Sequence, residues 1–233
     1  MDENEQKRPA RSRPVVAIDG PAGSGKSTAA RLLAKRLGFI LVDTGALYRA
    51  IALVARERGI PWTDGRRLGR LAKEIGLVFL PGSEGKPRLL IDGKDRSDDI
   101  RTPEISLGAS DVSKHPELRA ALLGLQRDLG KDGGVVLEGR DIGTVVFPDA
   151  EVKVFLVAEV ETRAKRRMLE LKQLGHNIEF ENILEDLRKR DEQDRNRSAA
   201  PLRPAEDAVL LDTTDISIDT VVDQLLKLVK SSV

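Results

Sequence analysis

The sequence predicts an α/β domain whose core is a five-stranded parallel sheet flanked by helices. Three observations carry that prediction. Short runs of β-branched and other apolar residues alternate with stretches of helical periodicity. The first run breaks into a glycine-rich loop that opens a helix. The chain of 233 residues suits one compact domain with small insertions rather than two large ones.

Val15-Val16-Ala17-Ile18 reads as a buried strand entering the turn Asp19-Gly20-Pro21-Ala22-Gly23. Ala29, Leu32, Leu33 and Leu37 then recur at helical spacing, with Gly38 as the stop. Ile40 to Asp43 is a second strand, followed by a helix from about Ala46 to Arg58 that ends at Gly59 and Pro61. The β-α-β-α order favours a parallel sheet. Between about Leu77 and Arg96 two apolar runs flank Pro81-Gly82-Ser83-Glu84-Gly85, which predicts a small antiparallel insertion. A helix from about Pro116 to Leu129 leads to strand Val135 to Glu138 and the loop Gly139-Arg140-Asp141. Strand Val152 to Val157, charged helices over 159–174 and 180–196, strand Val209 to Asp212 and an amphipathic helix over 216–230 complete the chain.

Composition narrows the function classes. Lys plus Arg total 39 against 38 for Asp plus Glu, so no global electrostatic footprint for nucleic acid or an anionic membrane exists. Any phosphate site must be local. The absence of cysteine excludes disulfides and thiolate chemistry and fits a cytoplasmic protein. Residues 1–13 are polar, with Asp2, Glu3 and Glu5 nearly cancelling the arginines, and are expected to form a flexible tail ahead of a domain over 14–233. No segment approaches the ~20 apolar residues that span a bilayer.

Gly20-Pro21-Ala22-Gly23-Ser24-Gly25-Lys26-Ser27 matches G-x-x-x-x-G-K-[ST] between an apolar strand and a helix. Such glycines let backbone N–H groups turn inward around a polyphosphate, and the helix start aims its positive end at the same charge. Lys26 is expected to reach the terminal phosphates, and Ser27 to ligate Mg²⁺. No N-K-x-D follows a strand and no D-x-x-G occurs, which removes the elements of a GTPase switch. Glu138 ends a strand near this loop, either as a metal or water partner or as an ordinary strand-end carboxylate.

DGPAGSGKST, DTGALYRA, EGRDIGTVVFPDA and KRDEQDRNR, in that order, resemble the bacterial-type cytidylate kinases, a branch of the P-loop nucleoside monophosphate kinases. The resemblance covers residues 15–230 and rests more on GRDIGTVVFPDA than on the glycine loop. It implies the P-loop kinase fold of that family, with an insertion that binds the nucleoside monophosphate (NMP) at about 66–105 and a helical lid at about 163–197. It also implies ATP as phosphoryl donor, CMP or dCMP as acceptor, Mg²⁺ as cofactor, direct transfer without a covalent intermediate, and a monomer.

Residue by residue, the resemblance places ATP on Gly20, Pro21, Ala22, Gly23, Ser24, Gly25, Lys26, Ser27 and Thr28, with Arg163 and Arg167 from the lid. Arg166 shares their helical face. Arg49 and Arg140 would hold the monophosphate, with Tyr48 packed near the nucleotide. Thr44, Ser110, Arg119 and Asp141 would read cytosine; Thr44 stands where many relatives have serine, so its methyl narrows the pocket. Arg190, Asp194 and Arg197 follow i, i+4, i+7 spacing, which predicts a carboxylate between two guanidinium groups that grip sugar and phosphates. Lys26, Arg140, Arg190 and Asp194 are the expected catalytic set. Two other readings stay open: a P-loop kinase acting on UMP, AMP, shikimate or another metabolite, and a non-enzymatic nucleic-acid-binding protein.

Overall fold

The first strand, β1 (Val15–Asp19), divides the core by its alternation. Val16 and Ile18 pack on one side with Leu33, Leu225 and Val229, while Val15 and Ala17 pack on the other with Val42, Leu137 and Phe147. Each large aliphatic side chain buried this way stabilises the fold by about 1.5–3 kcal/mol. A strand apolar on both faces must be central, and β1 pairs in parallel with β6 (Val135–Glu138) and β7 (Val152–Val157). With β2 (Ile40–Asp43) and β8 (Val209–Asp212) the sheet runs β2-β6-β1-β7-β8, the five parallel strands that the sequence predicts.

This computed structural model describes residues 11–80, 82, 86–173, 175 and 177–232. Helix α1 (Lys26–Leu37) follows β1, and α2 (Thr44–Glu57) follows β2. The insertion contains α3 (Gly65–Glu74), the antiparallel strands β3 (Leu77–Leu80), β4 (Arg88–Ile91) and β5 (Lys94–Asp95), and α4 (Pro103–Val112). Most of the expected turn at 81–85 lies outside the described residues. Next come α5 (Pro116–Asp128) before β6, α6 (Val160–Gln173) and α7 (Phe180–Asn196) after β7, and α8 (Ile218–Ser231) after β8. Among the described residues no helix is long and apolar enough to cross a membrane.

Helices α3 and α4 were not legible as helices, because each carries glycine in its interior. The reason is packing. A Cβ on Gly108 would sit 2.5 Å from the Trp62 ring, and one on Gly69 would sit 3.0 Å from the Glu117 carbonyl oxygen. Their caps were present in the sequence: Asp64 accepts from Arg67 N, and Thr102 before Pro103 accepts from Ile105 N.

Residues 1–10 lie outside the described set, but Arg11 is tied down, donating to Asp149 at 2.5 Å and Glu151 at 3.0 Å while lying over the Phe147 ring. The carboxylates at 149 and 151 lie more than a hundred residues away, so no local pattern announced this anchor.

At the end of β1 the buried Asp19 accepts from Ile142 N and Gly143 N, each at 2.8 Å. It therefore caps the π-helical turn Ile142–Val146 that follows Arg140 and Asp141. Burial pushes Asp19 up to about 6, while the two amides and Lys26 pull it back. A carboxyl raised in the folded state holds its proton better there than when unfolded. Its contribution is thus full below pH 3.8 and fades as pH climbs through about 6. Urea unfolding of the wild type and Asp19→Asn should show the wild type's relative stability falling by ~2–3 kcal/mol between pH 4 and pH 7. A pH-independent difference would contradict this origin.

Candidate active site

The glycine loop sits between β1 and α1 because its backbone admits no other residue at key points. Gly20 has φ of 143°, and a Cβ there would fall 2.1 Å from the Leu156 carbonyl oxygen. Gly25, with φ of 87°, begins α1. The buried Lys26 ammonium donates to Pro21 O at 2.6 Å and Ser24 Oγ at 3.4 Å, which holds it against the loop. Burial, then repulsion from Arg140, lowers its pKa well below that of a free lysine.

Ser27 Oγ donates to Glu138 Oε2 at 2.7 Å, so the carboxylate ending β6 faces the loop across the sheet edge. Burial and the nearby Asp43 push Glu138 up to about 7. The Ser27 and Glu138 oxygens form a hard-oxygen pair, and among the described residues no cluster of three or more His, Cys, Asp or Glu could hold a metal by itself. Hard oxygens of this kind suit a divalent cation such as Mg²⁺.

Arg49 donates to Asp43 at 2.6 Å, and Arg140 donates through Nε to Asp194 at 2.9 Å. Arg119 bonds Asp141 and lies over the Tyr48 ring, while Arg197 reaches Asp141 at 3.5 Å and Asp194 at 3.8 Å. Asp194 does lie between guanidinium groups, but its hydrogen-bonded partner is Arg140 from the loop after β6, not Arg190 on its own helix. Burial opposes the charged form of Asp194, yet Arg140 and Arg190 hold its pKa below the ordinary value. Burial, then the charges of Arg140, Arg49 and Arg167, pushes Arg190 down to about 10, and its Nε has no partner among the described residues. Arg49 Nε is likewise buried and unmatched.

Thr44 Oγ1 donates to Glu138 O at 2.7 Å at the start of α2. On α4, Ser110 accepts from Gln193 of α7 through both its hydroxyl and its carbonyl oxygen, each at 2.8 Å. Thus the residues expected to read a base are joined through two helices that belong to different parts of the chain. Sequence reading passed over Gln193, Asp43 and Asp191, although all three sit inside quoted motifs, because it looked for ligand contacts and not for what holds the ligands' partners.

Helices α6 and α7 pack on each other through Ala164, Leu171, Ile183 and Leu187. Residues 174 and 176 of the expected lid lie outside the described residues. Arg163 does not stand free at the loop's mouth. It is buried, bonds both oxygens of buried Asp191 at 3.1 and 2.6 Å, and donates to Ala22 O of the glycine loop at 3.0 Å and Ala158 O at 2.9 Å. Arg166 instead grips Thr213, whose hydroxyl lies 3.1 Å from Ser24 O, and Arg167 pairs with Glu170 near the surface. These helices are therefore clasped to the loop at two points.

Truncating Arg163 to alanine would strand Asp191 in a buried position. The expected cost is ~3–5 kcal/mol in urea unfolding, and Arg163→Met combined with Asp191→Leu should recover most of it. A double variant no better than the single one would show that the pair is not the source of the loss.

A family profile described as "Cytidylate kinase" matches residues 16–231. The chain is 49% identical over 215 residues to the cytidylate kinase of Syntrophotalea carbinolica, covering 92% of this chain and 91% of that protein. It is 46% identical over 213 residues to that of Caldicellulosiruptor bescii, covering 91% and 94%. Against that of Pseudomonas aeruginosa it is 47% identical over 216 residues, covering 92% and 94%. The match runs from β1 to the end of α8 and spans every element that carries the clustered cations, so the chain belongs to the cytidylate kinase family.

Proposed function

We propose that the protein transfers the terminal phosphoryl group of ATP directly to CMP or dCMP, giving ADP and the corresponding diphosphate. The observation that carries this reading is the partly buried Arg190 guanidinium. It lies within electrostatic reach of Arg140, Arg49 and Arg167, and its Nε is unmatched. Like charges held together in a partly dry site favour a polyanion, and guanidinium forks match phosphate oxygens in geometry as well as charge. Family membership supplies the acceptor: the relatives are named cytidylate kinases.

In this reading the amides of residues 20–28 and the Lys26 ammonium hold the ATP phosphates. Arg49, Arg140 and Arg190 hold the acceptor's phosphate, so that the two polyanions meet despite their repulsion. Asp194 keeps Arg140 oriented and, with Arg197, takes the sugar side. Thr44, Ser110, Arg119 and Asp141 face the base, with Tyr48 packed beside them under Arg119. Arg167 covers the donor, and Arg163 serves it indirectly by holding Ala22. Ser27, backed by Glu138, would hold Mg²⁺, which would supply positive charge to offset the charge that develops on the phosphates. Closing α6 and α7 over the cleft excludes water, which competes with the acceptor as nucleophile. The protein would act on free nucleotides as a cytoplasmic monomer, without a nucleic-acid or membrane partner.

ADP release measured with CMP, dCMP, UMP, AMP, GMP and shikimate tests the acceptor. CMP and dCMP should exceed AMP, GMP and shikimate by ~100-fold or more in kcat/KM. Turnover of another acceptor with none of CMP would replace this reading. Lys26→Ala should lower kcat by ~100-fold or more with the melting temperature unchanged; full activity in that variant would contradict the role given to the lysine.

A further inference from the structure

Gln193 stands one residue before Asp194 on α7, and its amide crosses to α4. Nε2 lies 2.8 Å from Ser110 O and 2.8 Å from Ser110 Oγ. A carbonyl oxygen only accepts, so the nitrogen of the amide, not its oxygen, must face Ser110. The Ser110 carbonyl also accepts from Ser113 Oγ at 2.9 Å. The Ser110 hydroxyl is thereby held as an acceptor from Gln193, and its own proton finds no acceptor among the described residues. That proton is available to a ligand.

Thr44 has the opposite polarity. Its hydroxyl spends its proton on Glu138 O at 2.7 Å, leaving its oxygen able only to accept. Both side chains are buried, at 4% and 8% exposure, so water does not stand ready to reverse either orientation. Cytosine presents an amino donor beside ring-nitrogen and carbonyl acceptors. Uracil presents a carbonyl and a ring N–H in the corresponding places. An acceptor-only Thr44 and a Ser110 hydroxyl with its proton free and one lone pair already taken by Gln193 suit the first pattern better than the second, a difference that buried sites feel strongly.

We infer that Gln193 is a specificity-determining positioning residue: by donating to Ser110 it takes up one lone pair and keeps that hydroxyl's proton free for a pyrimidine acceptor, and with Thr44 held as an acceptor this favours cytosine over uracil. The inference rests on the reading that Thr44 and Ser110 line the base pocket. It adds that base selectivity is set from α7, the lid side, through a residue that need not touch the nucleotide.

The test is kcat/KM for CMP and UMP, with KM for ATP, in full-length wild type, Gln193→Glu, Gln193→Met and Ser110→Ala. Glutamate is isosteric but takes the Ser110 proton, turning the hydroxyl into an acceptor. Gln193→Glu should therefore lower the CMP to UMP ratio by ~10-fold or more, with KM for ATP changed by less than about twofold. Gln193→Met, which keeps the length but removes the donor, should lower the ratio by ~3–10-fold. A purely structural role would reduce both substrates together and leave the ratio intact, and that result in Gln193→Glu overturns the inference. Should Gln193→Glu fail to fold by circular dichroism, an unchanged ratio in Gln193→Met overturns it equally. If Ser110→Ala loses discrimination while the Gln193 variants keep it, only the role of Gln193 falls. If no variant changes the ratio, the placement of Ser110 at the base falls, and the inference with it.

Discussion

The constraint on which the rest of this structure depends is a concentration of positive charge, buried at Lys26 and partly buried at three arginines, at the carboxyl edge of the sheet. Lys26, Arg49, Arg140 and Arg190 act on one another there, and Asp43, Glu138 and Asp194 offset them only in part. Burying an unmatched ion costs several kcal/mol even after relaxation. The fold carries that cost because β1, β6 and the helices behind them bury enough aliphatic surface to hold the edge in place. Each carboxylate here has a positional task. Asp43 holds Arg49, Asp194 holds Arg140, and Asp141 sits between Arg119 and Arg197.

The same edge explains how separate segments act as one site. Asp19 ties the end of β1 to the turn after Arg140 and Asp141, so the glycine loop and Arg140 share one rigid base. Arg163 and Thr213 reach the loop's carbonyl oxygens from α6 and from the end of β8. A shift of the α6–α7 pair would act on the glycine loop through Arg163 and on Ser110 of α4 through Gln193.

Much of this was legible in the chain. The core strands follow from β-branched runs bounded by turns, and the glycine loop from its motif in context. The antiparallel insertion follows from turn residues between two apolar runs. Helices α3 and α4 were hidden because Gly69 and Gly108 serve close packing against α5 and Trp62, which only the folded chain brings near. Spacing on α7 placed Asp194 between Arg190 and Arg197, both of which act on it, but did not show that its hydrogen-bonded partner is Arg140. Helical periodicity says which side chains share a face and nothing of what the loop after β6 brings to that face. Arg163 illustrates the same limit: its place on the lid helix was readable, while its burial against Asp191 and Ala22 was not. Asp19 acts through backbone amides, which leave no mark in residue identity, and Gln193 through Ser110, which lies 83 residues away in the chain.

The most direct test is to replace Arg190 with methionine and follow stability with and without CMP. If uncompensated buried charge is what awaits the nucleotide, Arg190→Met should be more stable than the wild type by ~1–3 kcal/mol in nucleotide-free buffer, and should lose most of the melting-temperature rise that CMP gives the wild type. A variant that is less stable than the wild type and keeps the full CMP-induced rise would contradict the account.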